Sequence, residues 1–332
     1  MQADGGPGDV TRPPAREAPP STTHYNTRAM ASALRATITG TPRRRATVAW
    51  ARIVADVARS EAVLSRFRAE SDLSRLNRTA GDGAWRIVDP RLYTLIATAV
   101  RAQRLTAGRF DARVLRRLEE LGERAGVPLP ALALPSTRGD IERRPRDRLV
   151  RTMEPLDSGG LGKGLALRWA AAAGLAALPA GAGLLVEAGG DVLVTGPQPD
   201  GGAWRIGIED PLGSDEPLAV LELERGAVAT SSVAVRHWTG PGGDAVHHLI
   251  DPRTGEPGGG GLLAVTVSLP DPAWAEVWTK ALFLAGPAAI GPEARSRGLA
   301  AWWVRDGGGL EMTPAARAAT IWERPIPSRR SA

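Results

Sequence analysis

Apolar and polar residues alternate over Ala33–Gly40 (ALRATITG), the period-two pattern of a strand with one buried face. The spacing turns helical over Thr47–Arg68, and again over Pro90–Arg104 and Arg113–Gly126, the last closed by its glycine. Two more helices are predicted, over the alanine-rich Gly164–Leu178 behind a glycine cluster and over Pro272–Ala285. Gly183–Gly196 (GLLVEAGGDVLVTG) reads as two short strands around a Gly-Gly turn. Trp204–Ile208 and Leu218–Glu224 continue a meander, and Gly226–Ser231, Ala264–Ser268, Trp302–Arg305 and Leu310–Thr313 supply further strands. Leu132–Ser136 and the proline-rich stretch behind it read as a loop or short strands. Strands in antiparallel-looking series with helices inserted point to an α+β fold rather than a doubly wound sheet. No linker interrupts the pattern, so one domain is expected over residues 25–323, between Pro-, Gly- and charge-rich tails at 1–24 and 324–332 that are expected to be disordered.

Composition narrows the chemistry. At 43% hydrophobic and 23% charged, the 332 residues suffice for a substantial core and are not disordered throughout. Glycine (39) and proline (27) are frequent but follow no triplet period, which excludes collagen. The absence of cysteine excludes disulfides, thiolate metal sites, catalytic thiols and lipid-bearing cysteines. The stretch Leu165–Ala182 is apolar but broken by Arg168, Gly174, Pro179 and Gly181, too interrupted to span a bilayer. With no apolar signal core in MQADGGPGDVTRPPAREAPP, a cytoplasmic protein without a membrane anchor is expected.

The net charge is +6, and its makeup is more telling than its size. Lys163 and Lys280 are the only lysines among 42 basic residues; all the others are arginine. A lysine kept against that bias suits a place that needs a compact, flexible ammonium rather than a planar fork. The densest basic runs, Arg43-Arg44-Arg45 and Arg143-Arg144 through Arg151, lack interleaved aromatics for base stacking. They read as solvated loops, and no nucleic-acid partner is expected.

Three constellations could carry chemistry. Asp157-Ser158-Gly159-Gly160-Leu161-Gly162-Lys163-Gly164 leads into a helix, where free amides and a lysine suit phosphate oxygens, although a glycine-rich helix entrance also serves as a plain cap. It matches neither the Walker loop nor the dinucleotide fingerprint. In His247-His248-Leu249-Ile250-Asp251-Pro252, alternation would put His248 and Ile250 on one strand face, and His248 is either a general base or one of a surface pair. Glu276 and Lys280 are four apart on the predicted late helix, which makes them either a surface ion pair or two charges in a cleft beside phosphates.

In order along the chain these blocks resemble the ApbE family, the FAD:protein FMN transferases. Ala29-Met30-Ala31-Ser32 is similar to the family's opening Met-Gly-Thr element, with Ala and Ser in place of Gly and Thr. Ser71-Asp72-Leu73-Ser74-Arg75-Leu76-Asn77, following Phe67, resembles its Ser-x-Leu-Ser-Arg-Leu-Asn block, and Thr106-Ala107-Gly108-Arg109-Phe110-Asp111 its Gly-x-Phe-Asp block. Asp157–Gly164 resembles its Asp-x-Gly-Gly-x-x-Lys-Gly block. Glu187–Asp191, Trp204–Pro211, Ala229-Thr230-Ser231 and His248–Pro257 complete the series.

The resemblance implies a single ApbE-like domain of mixed, largely antiparallel sheets with inserted helices, holding FAD as substrate. It implies transfer of FMN to a Ser or Thr hydroxyl of an acceptor protein, with release of AMP. Lys163 and Gly160 would hold the diphosphate, and His248 would take the hydroxyl proton. Met30, Asn77, Arg109, Phe110, Asp111 and Asp157 would contact flavin or adenine, and Thr230 and Lys280 would also bind the nucleotide. The family's late helix carries Asp and, four residues on, Thr, which bind Mg²⁺ together with a glycine-block carbonyl, here Gly162. This chain has Glu276 and Lys280 at those places. Two readings stand open: Lys280 replaces the metal beside Glu276 and the diphosphate, or Mg²⁺ is held more weakly by Glu276 and the Gly162 carbonyl. Hydrolysis of FAD to FMN and AMP, and FAD binding without catalysis, are the alternative activities.

Overall fold

The computed structural model describes residues 21–123, 129 and 140–325. Its centre is an eight-stranded sheet in the order β1-β2-β6-β7-β10-β13-β14-β15. These strands are β1 (Ser21–Ala29), β2 (Ser32–Thr41), β6 (Gly183–Ala188), β7 (Asp191–Thr195), β10 (Gly226–Ser232), β13 (Leu262–Leu269), β14 (Ala300–Arg305) and β15 (Leu310–Met312). Every strand pair is antiparallel, here and in the smaller sheets, so among the described residues the sheets are not mixed. In the large sheet only β1–β2, β6–β7 and β14–β15 are joined by short turns; the other neighbours are joined through long insertions, which carry the helices and smaller sheets and return the chain antiparallel.

One face of this sheet is covered by helices. α1 (Arg43–Leu64) and α5 (Gly162–Leu175) bury Ile53, Leu167 and Ala170 against Leu34, Ile38 and Leu184. α6 (Pro272–Phe283), with α7 (Ile290–Ser296), packs Leu282 and Phe283 on Val265, Val267 and Trp303. α2 (Asp72–Asn77), α3 (Pro90–Leu105), α4 (Leu115–Glu120) and the three-stranded sheet of β3 (Arg86–Ile87), β5 (Leu149–Thr152) and β4 (Ile141–Arg144) extend the helical layer. The opposite face is closed by β8 (Trp204–Ile208), β9 (Ala219–Leu223), α8 (Pro314–Ala319) and β16 (Thr320–Glu323), which bury Trp204, Ile206 and Ala316 against Val194, Val228 and Trp302. A two-stranded ribbon, β11 (His237–Thr239) and β12 (Ala245–His247), precedes the histidine block. No helix among the described residues is long and apolar enough to cross a membrane.

Several boundaries differ from the sequence expectation. β1 begins at Ser21, so residues 21–24 belong to a strand rather than to a tail; residues 1–20 and 326–332 lie outside the described residues. α1 starts at Arg43 because Pro42, at the N-cap, leads into it, which puts the Arg43–Arg45 run on an exposed helical turn rather than a loop. The run at Arg143-Arg144 lies in β4. The helix expected over Arg113–Gly126 is the short α4, whose backbone turns at Leu121–Gly122, where Gly122 has φ +91°. Gly126 and Leu132–Ser136 fall outside the described residues. The late helix ends at Phe283 rather than Ala285.

Candidate active site

α5 has no side-chain cap from its own chain neighbourhood; Leu161 stands at its N-cap. Its third amide, Gly164 N–H, donates instead to Glu276 Oε2 on α6 at 2.9 Å. This contact requires two helices to meet closely, which Gly164 allows by having no side chain. The second carboxylate oxygen, Glu276 Oε1, has no hydrogen-bond partner among the described residues but stands 3.7 Å from Lys280 Nζ. With Glu276 only 1% exposed, the pair is a buried one and not the surface ion pair that the spacing also allowed. Lys280 Nζ additionally donates to the Glu276 carbonyl at 3.3 Å and approaches Ser231 Oγ at 3.5 Å, while Ser231 shares a 2.7 Å hydrogen bond with Thr279 Oγ1.

The other lysine arrives from α5. Lys163 Nζ donates to Asp191 Oδ2 at 2.9 Å, and Asp191 Oδ1 accepts from the Thr230 amide at 3.1 Å. Burial alone would lower the Lys163 ammonium, but the carboxylates of Asp191 and Glu276 hold it above the ordinary lysine range. Burial pushes Glu276 up and draws Lys280 down, each against the pull of the other's charge. Two ammonium groups and two carboxylates therefore meet at the mouth of α5, each pair sharing a bare minimum of hydrogen bonds.

Beside this cluster a cleft of about 530 Å³, counting its open mouth, is lined by Phe110, Asp157, Gly159, Gly160, His248 and Lys280 among others. A Cβ on Gly160 would stand 2.7 Å from Phe110 Cε2, so the glycine lets that ring lie against the loop. His248 Nδ1–H donates to the Arg236 carbonyl at 3.1 Å, since a carbonyl can only accept. The neutral ring then presents Nε2 as a free base. Burial, and next the Arg236 charge, push this imidazole down to about 3. β12 ends at His247, so His248 sits beyond the strand and strand alternation does not set its direction. Ile250 pairs instead with Pro257 across a turn.

The other expected residues divide. Arg109, Phe110, Asp111 and Asp157 line the cleft. Arg109 is ion-paired with Glu293, Asp111 with Arg113, and Asp157 Oδ1 with Arg66 Nε at 2.8 Å. Asn77 does not line it: its amide donates to Leu156 O at 2.9 Å and accepts from Leu156 N at 2.8 Å, a clamp on the chain before Asp157. Met30 is in the β1–β2 turn, packed against the core under α1. Thr230 is exposed on β10 beside Thr266, with its hydroxyl 2.9 Å from that of Thr266.

Three supporting residues were not picked out from the sequence. Asp191, the anchor of Lys163, follows a Gly189-Gly190 turn, which was the signal available for it. Arg66 and Arg236 share Glu123 and tie the Asp157 loop to the His248 loop, a link between distant segments that no local pattern announces.

The residues do not fit a divalent ion. Among the described residues no three His, Cys, Asp or Glu side chains converge on one point. Glu276 gives one oxygen to a helix amide and faces an ammonium with the other. A divalent cation there would add to two positive charges already present, with two carboxylates to share among all three.

Residues 23–303 match the sequence profile of the ApbE family. The FAD:protein FMN transferase of Klebsiella pneumoniae (strain 342) is 26% identical over 311 residues, 87% of each chain. That of Treponema pallidum (strain Nichols) is 29% identical over 250 residues, 68% of each. The crystal structure of the ApbE protein from Thermotoga maritima superposes with a TM-score of 0.78 at 28% identity, covering 92% of this chain and all of that one. The flavin transferase ApbE from Vibrio cholerae, at 20% identity, shares the fold with a TM-score of 0.75. With most of its length inside the matched region and its glycine, lysine and histidine blocks gathered around one cleft, the chain belongs to the ApbE family.

Proposed function

We propose that the protein is an FAD:protein FMN transferase that moves FMN from FAD onto a Ser or Thr hydroxyl of an acceptor protein. The observation that carries this reading is the meeting of both lysines at the entrance of α5, with Lys280 and His248 lining the same cleft. A diphosphate concentrates negative charge, and helix amides with ammonium groups suit it. The acceptor oxygen attacks the FMN-side phosphorus while the bond to the AMP oxygen breaks. The hydroxyl proton passes to His248 Nε2, and the electron pair of the broken bond leaves on AMP. Transfer of this kind asks for positioning and charge stabilisation more than for covalent work by the enzyme. Phe110 lines the cleft wall with its ring against Gly160, and Asp157, held by Arg66, fixes the neighbouring loop.

Incubation with FAD and a candidate acceptor protein, followed by mass spectrometry, tests the reading. A covalent FMN adduct on a Ser or Thr, with one AMP released per adduct, is the expected result. Free FMN and AMP without adduct would make the protein an FAD pyrophosphatase, and FAD recovered intact would leave only binding.

A further inference from the structure

Three features of the α5 entrance stand together. The carboxylate that caps it comes from another helix and keeps one oxygen, Glu276 Oε1, unbonded though buried. That oxygen is faced by Lys280, which lines the cleft. Lys163 brings a second ammonium to the same carboxylate cluster from the opposite helix, anchored by Asp191. These are the only two lysines in a chain that otherwise uses arginine. An ammonium is compact and swings on four methylenes, so it can reach a phosphate oxygen beside a helix end where a planar guanidinium has no room.

Resting on the transferase reading above, we propose that Lys280 and Lys163 together are the resident cations of the diphosphate site, so that FAD binding and FMN transfer need no divalent metal. Each ammonium donates to phosphate oxygens on its own flexible stem, without the coordination shell of converging carboxylates that a divalent ion needs. Glu276 is the positioning residue of this device. It holds Lys280 near one oxygen and the Gly164 amide of α5 on the other, which fixes the ammonium beside the entrance of α5. In the free protein Glu276 and Asp191 balance the two ammonium groups, and Lys280 Nζ stands 3.7 Å from Glu276 Oε1 without a hydrogen bond to it, so a bound diphosphate competes with Glu276 for this ammonium and draws it towards the phosphate oxygens.

The test is a metal series on the intact chain. FAD affinity, followed by flavin fluorescence in EDTA and in millimolar Mg²⁺, is expected to change by less than about threefold, well under the tenfold that 1.4 kcal/mol represents. Mn²⁺ added with FAD should show no saturable binding by electron paramagnetic resonance. Lys280→Met should weaken FAD binding about 10- to 100-fold, the range for losing a hydrogen bond to a charged group, and Mg²⁺ should not restore it. Replacing both residues, Glu276→Asp with Lys280→Thr, puts back the pair found at these places in the family pattern, and this variant should bind FAD only with Mg²⁺. Thermal melts report whether each variant folds, and the wild-type series stands without them. Stoichiometric Mn²⁺ binding, or wild-type FAD affinity that rises tenfold or more with Mg²⁺, would overturn the proposal and leave the transferase reading intact. Failure to bind FAD under any condition would overturn both.

Discussion

His248 hydrogen-bonds a carbonyl through Nδ1 and is held at about 3 by burial and the Arg236 guanidinium, against 6.5 for an ordinary histidine. The folded protein therefore keeps a neutral imidazole across the neutral and mildly acidic range. The acid limb of kcat/KM for the free enzyme should not show a group near 6.5, and a limb there would remove His248 from the role of base. The unfolded chain binds a proton at this position that the folded chain does not, between about 3 and 6.5. The contribution of His248 to stability is complete above the upper value and is lost as the pH falls, at up to roughly 1.4 kcal/mol per pH unit. Urea titrations at neutral and mildly acidic pH should show His248→Ala losing less stability on acidification than the parent. The same variant should transfer FMN about 10²- to 10⁴-fold more slowly, as expected for a lost general base, with FAD affinity little changed. At this scale the chain was legible where a residue type is scarce, as with the two lysines. It was not legible where a charge finds its partner across the fold, as with Arg66, Glu123 and Arg236.

The β1–β2 hairpin closes in two residues, Met30 and Ala31, with φ of +49° and +60° between the paired Ala29 and Ser32. Both central residues of such a turn need positive φ, which costs an L side chain roughly 1–2 kcal/mol. Ala31→Gly, the residue type of the family pattern at this place, should raise stability by about 1 kcal/mol, read as a shift in the urea midpoint at constant slope. α2 offers the opposite case. Asn77 satisfies both backbone groups of the fully buried Leu156. Asn77→Ala should lower stability by about 2–4 kcal/mol, because it orphans a buried donor and a buried acceptor. It should also loosen the loop of Asp157, so a variant as stable as the parent would mean that water replaces the clamp. Elements with a strong period were foreseen: β2, α1, α3, α5 and α6 all appear within a few residues of their expected ranges. β1 was not, because STTHYNTRA on a sheet edge buries too little to show apolar alternation. α4 is shorter than the pattern of Arg113–Gly126 suggests, because that pattern does not record the turn at Leu121–Gly122.

The molecule as a whole depends on how closely α5 and α6 approach on the helical face of the large sheet. α5 packs on α1 and β6, α6 on β10 and β13, and the site lies where the two helices touch. Gly164 is at that crossing: a Cβ there would stand 2.6 Å from both Ala273 Cα and the Pro272 carbonyl, and 2.7 Å from Ala273 N. All three are backbone atoms at the start of α6, fixed in turn by Asp271, whose side chain accepts from the amides of Ala273 and Trp274. No rotamer change relieves such a contact, so Gly164→Ala must push the helices apart. The stability loss should reach the upper end of overpacking, about 3 kcal/mol. The separation also carries Glu276 away from the Gly164 amide and moves Lys280 on its own helix, so FAD affinity should fall with stability. Gly160→Ala is the informative contrast. Its Cβ would meet Phe110 Cε2 at 2.7 Å and Cζ at 3.1 Å, the rim of a side chain, so the ring can turn and the helices need not move. That variant should keep most of its stability while losing FAD binding at the cleft wall. Paired urea melts and FAD titrations separate the two. If Gly164→Ala melts with the parent and binds FAD as tightly, the site is not assembled by the meeting of α5 and α6.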